Sequence, residues 1–137
     1  MADAYLLDSC TIIAALRGEP AALLNRLVTI APNQLHLSGI VFAELATGAE
    51  KSPDRVRKRK ALAELTDGMV PLPFAAMDAH AYGRIRAALE RKGAVIGPLD
   101  LLIAAQAVAR DLVLVSDNLR EFRRVPGLRC ENWMRGK

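Results

Sequence analysis

Residues 97–118 read GPLDLLIAAQAVARDLVLVSDN, a helical pattern followed by a strand pattern, with an acid opening the first and another closing the second. Pro98 suits a helix's first turn: its ring presets φ, and its missing N–H would find no intrahelical acceptor there. Asp100 falls inside that turn. Leu99, Leu102, Ile103, Ala107 and Val108 recur at helical spacing and predict one apolar, inward side. Residues 112–115 are wholly apolar and bounded by polar neighbours, the pattern of a short strand buried on both faces of a parallel sheet. Asp117 and Asn118 follow at once.

Working outward, residues 4–7 predict a first strand ending at Asp8, and a helix over residues 11–16 is stopped by Gly18. Pro20 opens a second helix with the apolar stripe Leu23, Leu24, Leu27, Val28 and Ala31. After Pro32 and Asn33, residues 34–37 predict a second strand. Ser38 then N-caps a helix that runs to about Glu50, in which Glu44 is the only charge in the first ten residues. Ser52 and Pro53 predict the start of a basic helix containing Arg55, Arg57, Lys58, Arg59 and Lys60 and ending near Gly68. Residues 69–72 form a weaker strand that Pro71 assigns to an edge. A long helix follows, with Met77, Ala81, Ile85, Ala88 and Leu89 on one face, Asp78, Arg86 and Glu90 off it, and Gly93 at its end. Beyond Asn118 come a helical turn (LREFRRV), a last strand over residues 128–131, Trp133 as a packing lid, and a tail over residues 135–137. Strands alternating with helices predict one α/β domain over residues 1–137, a parallel sheet between two helical layers.

The chain has 137 residues, half of them hydrophobic but few aromatic, enough for a single core without disulfides or metal staples. No apolar run approaches membrane-spanning length and the opening MADAYLLD lacks a basic leader, so a cytoplasmic protein is expected. Cys10 and Cys130 are too few and too far apart for a disulfide framework or a zinc pattern and read as reduced thiols. A formal charge of +4 favours an anionic partner such as nucleic acid.

In an open α/β sheet, ligands bind beyond the carboxyl ends of the strands. Asp8, Asp100 and Asp117 map to that edge, and Glu44 lies on the helix leaving the second strand. Two unit charges about 4 Å apart repel by roughly 4 kcal/mol at an effective dielectric of 20, so such a group needs compensation. A hard divalent cation supplies it, and Mg²⁺ commonly pairs carboxylates with substrate phosphates, which points to phosphodiester hydrolysis. Taken singly, each acid also has a structural reading: Asp8 as an N-cap, Asp100 as an acid at a helix dipole, Asp117-Asn118 as a turn, Glu44 as a solvent-facing charge. Their joint placement favours the metal site.

LLDSCTIIAAL, SGIVFAEL, GPLDLLIAA and LVSDNLREFRRVPGLRCENW, in this order and spacing, resemble the PIN-domain ribonucleases, specifically the VapC-type toxins of bacterial toxin–antitoxin pairs. The resemblance spans essentially the whole chain. It implies a three-layer α/β sandwich around a parallel sheet, Mg²⁺- or Mn²⁺-dependent endoribonuclease activity, homodimerisation, and inhibition by a small VapB-like antitoxin. It matches Asp8, Glu44, Asp100 and Asp117 to the acidic quartet. Ser9 and Ser116 match the small hydroxyl positions beside the first and fourth acids, and Asn118 the polar position after the fourth. Two departures stand out. Cys10 replaces an asparagine often found two positions after the first acid, and Val41 a hydroxyl residue often found three positions before the glutamate.

Arg17 and the cluster Arg55, Arg57, Lys58, Arg59 and Lys60 are candidates to grip an RNA backbone, or else form a solvated helix face. No histidine sits beside an acid in any motif; His36 reads as a strand residue facing away and His80 as a surface group, which argues against metal-independent acid–base cleavage by histidine. A catalytically silent PIN scaffold that binds RNA or protein is the alternative, and Cys10 is the feature that supports it. A phospho-receiver domain also clusters acids at strand ends, but no lysine lies near the end of the last strand to complete one.

Overall fold

The computed structural model describes residues 3–135. Of the expected tail, Gly136 and Lys137 lie outside the described residues. The elements in chain order are β1 (Tyr5–Leu7), α1 (Ser9–Arg17), α2 (Ala21–Leu27), a 3₁₀ turn (Pro32–Gln34), β2 (Leu35–Ser38), α3 (Gly39–Lys51), α4 (Arg55–Thr66), β3 (Val70–Leu72), α5 (Ala76–Lys92), α6 (Pro98–Ala109), β4 (Val113–Val115), α7 (Leu119–Phe122) and β5 (Cys130–Glu131). The five strands form one sheet in the order β3-β2-β1-β4-β5, and every pairing is parallel.

That order fixes where a site belongs. The chain steps outward from β1 through β2 to β3, then returns to the other side of β1 for β4 and β5. Right-handed crossovers therefore place the helices after β1 and β2 on one face and those after β3 and β4 on the other. The sense of winding reverses between β1 and β4, and the crevice beyond their carboxyl ends is the topological switch point. Both strands are buried throughout, as expected for a parallel sheet covered on two sides.

The core runs through Leu6, Leu7, Ile12, Val41, Ile103, Leu114 and Val115, closed by Phe122 and Trp133. Trp133 is the expected lid. Its ring meets Tyr5 edge-on with centroids 4.9 Å apart, its indole N–H donates to Glu131 Oε1 at 2.9 Å, and the Arg26 guanidinium lies 5.1 Å from its centroid. Gly18 ends α1 at φ 77, in the left-handed region that a Cβ disfavours. Pro71 lies in β3, which is an edge strand as expected.

Several helical faces differ from their sequence reading. Leu99 is 43% exposed because the first turn of α6 stands out at the carboxyl edge, whereas from Leu101 onward the helix is enclosed by its neighbours. On α5, Met77 faces solvent and Asp78 is fully buried. Asp78 Oδ2 accepts from Ala75 N at 2.7 Å, and both carboxylate oxygens bind Arg110, at 3.1 and 3.0 Å. A buried acid is tolerable when so fully paired. The second helix ends at Leu27, leaving Val28 and Ala31 outside it and Val28 exposed. Ser52 is the C-cap of α3; α4 starts later, with Asp54 at its N-cap position, and the Ser52 hydroxyl accepts from Asp54 N at 3.2 Å within the intervening turn.

Candidate active site

The geometry starts at Asp8, the residue after β1. It N-caps α1, its Oδ1 accepting from Thr11 N at 2.9 Å, while its Oδ2 accepts from the Ser116 hydroxyl at 2.5 Å. The structural role foreseen for Asp8 as a cap is therefore real, and it leaves the carboxylate buried at the switch point with a fixed orientation. Ser116 follows β4 and is itself set by the Asn118 N–H, which donates to its Oγ at 2.9 Å. The Thr11 hydroxyl donates to Val115 O at 3.2 Å and ties the start of α1 to the end of β4. Ser9 opens α1, half-buried, with no side-chain hydrogen bond among the described residues.

Glu44 sits on α3, half-buried. Burial, and then the charge of Asp8, push its carboxyl above the ordinary value. Asp100, in the first turn of α6, is pushed up to about 6, first by burial and then by the charges of Glu121, Asp8 and Glu44. Three elements thus bring acids close enough to oppose one another's ionisation. Cys10 reports the same convergence: its thiol is raised by partial burial and then by Asp8, Asp100, Asp117 and Glu44 together.

Glu121 is the residue the sequence reading missed. On α7, its Oε1 accepts from Gly97 N at 2.7 Å and its Oε2 from the Asn118 amide at 3.0 Å, and these bonds hold its carboxyl below the ordinary value. Its charge also raises the carboxyl of Asp100. The signal was present in LREF, where an acid falls within the single turn of the short helix at the same edge. Asp117 differs: it is exposed, and its Oδ1 accepts from the Asn132 amide at 3.1 Å. Asn118 is turned toward Glu121.

A hard cation fits this donor set by its chemistry. Every candidate ligand is a carboxylate, and none of the ion pairs among the described residues includes Asp8, Glu44, Asp100, Asp117 or Glu121. Negative charge is gathered here, and the Arg124 charge that helps lower the Glu121 carboxyl closes no ion pair with these acids among the described residues. Among the described residues no three such groups form a ready cage for a metal. A cation held by one or two carboxylates, with water completing its shell, needs no such cage.

Glu44 also borders a groove of about 470 Å³ whose lining includes Ile13, Leu16, Arg17, Arg57 and Lys58. Of the basic candidates, Arg17, Arg57 and Lys58 therefore share a groove with an acid of the site. Arg55 and Lys60 line a neighbouring depression, and Arg59 pairs with Glu50. His36 is half-buried in β2, its Nδ1 has no hydrogen-bond partner among the described residues, and burial lowers its pKa; His80 is exposed.

The PIN domain family model matches residues 5–128. Ribonuclease VapC2 of Rickettsia felis is 37% identical over 130 residues, covering 94% of this chain and 97% of that protein. The tRNA(fMet)-specific endonuclease VapC of Salmonella typhimurium is 36% identical over 129 residues, covering 94% and 97%. Among solved structures, DNA-bound VapBC from Salmonella typhimurium superposes with a TM-score of 0.90 at 36% identity, covering 96% of this chain and 99% of that one.

Proposed function

This chain belongs to the PIN-domain family, among its VapC ribonucleases, and from that premise we propose that it is a divalent-cation-dependent endoribonuclease toxin, held in check by a VapB-like antitoxin. The observation that carries the reading is the cluster of acids at the switch point, outside every ion pair among the described residues and bordering a groove with a basic rim. A Mg²⁺ or Mn²⁺ ion bound there would polarise a phosphoryl oxygen and acidify a water.

The roles of the residues follow from their settings. Asp8 presents a carboxylate fixed by two donors. Glu44 and Asp100 complete the donor set, and a bound cation would offset the burial, and after it the neighbouring charges, that raise their pKa values. Asp117, at the solvent side, contributes through water. Ser116 and Asn118 orient Asp8 and Glu121, while Ser9 flanks the first acid and faces substrate. Glu121 braces the Gly97 turn from which Asp100 projects. Arg17, Arg57 and Lys58 receive RNA phosphates along the groove, and Arg55, Arg59 and Lys60 extend that field.

We place the protein in the cytoplasm as a homodimer. No helix among the described residues is long and apolar enough to cross a membrane. The silent-scaffold alternative rests on Cys10, an exposed thiol within the field of Asp8, Asp100, Asp117 and Glu44, and RNA cleavage decides between the two readings.

The test is cleavage of RNA by the full chain in Mg²⁺, beside thermal unfolding with and without the ion. Cleavage lost in Asp8→Asn and Asp100→Asn, with Mg²⁺ raising the Tm of the parent only, is the expected result. Full cleavage by both variants overturns the assignment.

A further inference from the structure

Gln106 lies on the buried face of α6 among Ile103, Ala104, Ala105 and Ala107, and its side chain is fully enclosed. A buried amide needs partners at both ends. Its Oε1 accepts from the Ser38 hydroxyl at 2.5 Å, and its Nε2 donates to Leu72 O at 3.2 Å. Ser38 is also the N-cap of α3, its Oγ accepting from Ile40 N at 3.1 Å and Val41 N at 3.5 Å. The cap would function without Gln106, and an aliphatic residue would fill the α6 position as its neighbours do. One network therefore joins three elements: the first turn of α3, the end of β3, and α6.

Two of those elements carry acids of the site. Glu44 is on α3, three residues beyond Val41; Asp100 is on α6, six residues before Gln106, or about 9 Å along the helix axis. Helices packed through aliphatic contacts alone have several nearly equivalent registers, whereas a satisfied polar network selects one. We propose that Gln106 is a positioning residue: through Ser38 it locks α3 against α6, fixes the spacing of Glu44 and Asp100, and thereby sets the affinity of the acid site for a divalent cation. This inference rests on the cation-binding reading above and adds a residue with no ligand role of its own.

The probe is Mn²⁺, whose binding to the full-length protein is read from the loss of the free-ion electron paramagnetic resonance signal at neutral pH. Wild type binds. Gln106→Met, which keeps the side-chain length and removes both hydrogen bonds, weakens binding about tenfold or more, the usual scale for a residue that supports metal ligands. Ser38→Ala breaks the same link from the other side. The double variant binds no worse than the weaker single one, because one linkage is lost in each case.

Ile85→Ala is the control, opening a core cavity on α5; it lowers Tm and leaves Mn²⁺ affinity unchanged. A Gln106→Met protein that loses Tm but binds Mn²⁺ like wild type overturns the proposal, as do losses that add in the double variant. If Gln106→Met fails to fold by circular dichroism, Ser38→Ala decides, and unaltered Mn²⁺ affinity in it overturns the proposal. Absence of Mn²⁺ binding by wild type fails the cation reading itself, and this inference with it.

Discussion

Asp100 and Asp117 stand at the two ends of one helix–strand unit and at the same edge of the sheet, yet their surroundings differ. Asp100 is half-buried between the charges of Glu121, Asp8 and Glu44, and its carboxyl is pushed up to about 6. Asp117 is exposed and occupied with Asn132. Equivalent places in a motif thus become chemically unequal through burial and through the neighbours that other elements supply. The acid that keeps its proton longest gains most from a cation, because the ion replaces the missing counter-charge.

Substitution is the sharpest way to break this comparison. Asp100→Asn should lower RNA cleavage by at least about a hundredfold, the scale of losing one preorganised electrostatic group, with the circular dichroism spectrum unchanged. Glu121→Gln, which keeps the shape but weakens the acceptors for Gly97 and Asn118, should cost about tenfold to a hundredfold in the Mg²⁺ concentration needed for half-maximal cleavage. Asp117→Asn should cost less than either. If Asp117→Asn falls as far as Asp100→Asn in the same cleavage assay, the proposed inequality between the two acids is wrong.

The pH dependence of stability sharpens it further. Between its ordinary value of 3.8 and about 6, Asp100 holds its proton in the folded protein and gives it up in the unfolded one. Its contribution to stability is therefore complete below about pH 4 and is lost as pH rises through about 6. Glu121 and His36 shift in the opposite direction, so the measurement is the Tm of wild type minus that of Asp100→Asn, without divalent ion. The difference should fall by a few degrees across that window and recover when Mg²⁺ is added. A flat difference would show that Asp100 is not under charge stress.

The smallest expected change concerns the groove. Replacing Arg17, Arg57 and Lys58 by alanine should leave Tm nearly unchanged and reduce the salt dependence of RNA binding, with the log–log slope shallower by about 0.7 for every phosphate no longer neutralised. An unchanged slope would assign these side chains to a solvated face.

Much of this was legible in the sequence. Pro98, Gly18 and Ser38 mark element ends by local chemistry, and β1 and β4 announce themselves as short apolar runs. The positions of Asp8, Asp100 and Glu44 followed from those elements. What the sequence hid was decided by tertiary partners. Asp78 is inside because Arg110, thirty-two residues away, meets it. Leu99 is outside because the first turn of α6 overhangs the sheet. Glu121 lay within a motif already noticed, but its bond to the Gly97 N–H spans twenty-four residues and no periodicity encodes it. Gln106 stands in an otherwise apolar stretch of α6, and only the approach of Ser38 and Leu72 gives it meaning.

The sheet's margins carry a last consequence. β3 has three residues with a proline at its centre, and β5 has two. Strands so short, one of them lacking a donor, offer little ladder for an extended peptide to join. Strand addition is thereby discouraged on both flanks, which favours helical surfaces and the grooves between them as the places where a protein partner docks.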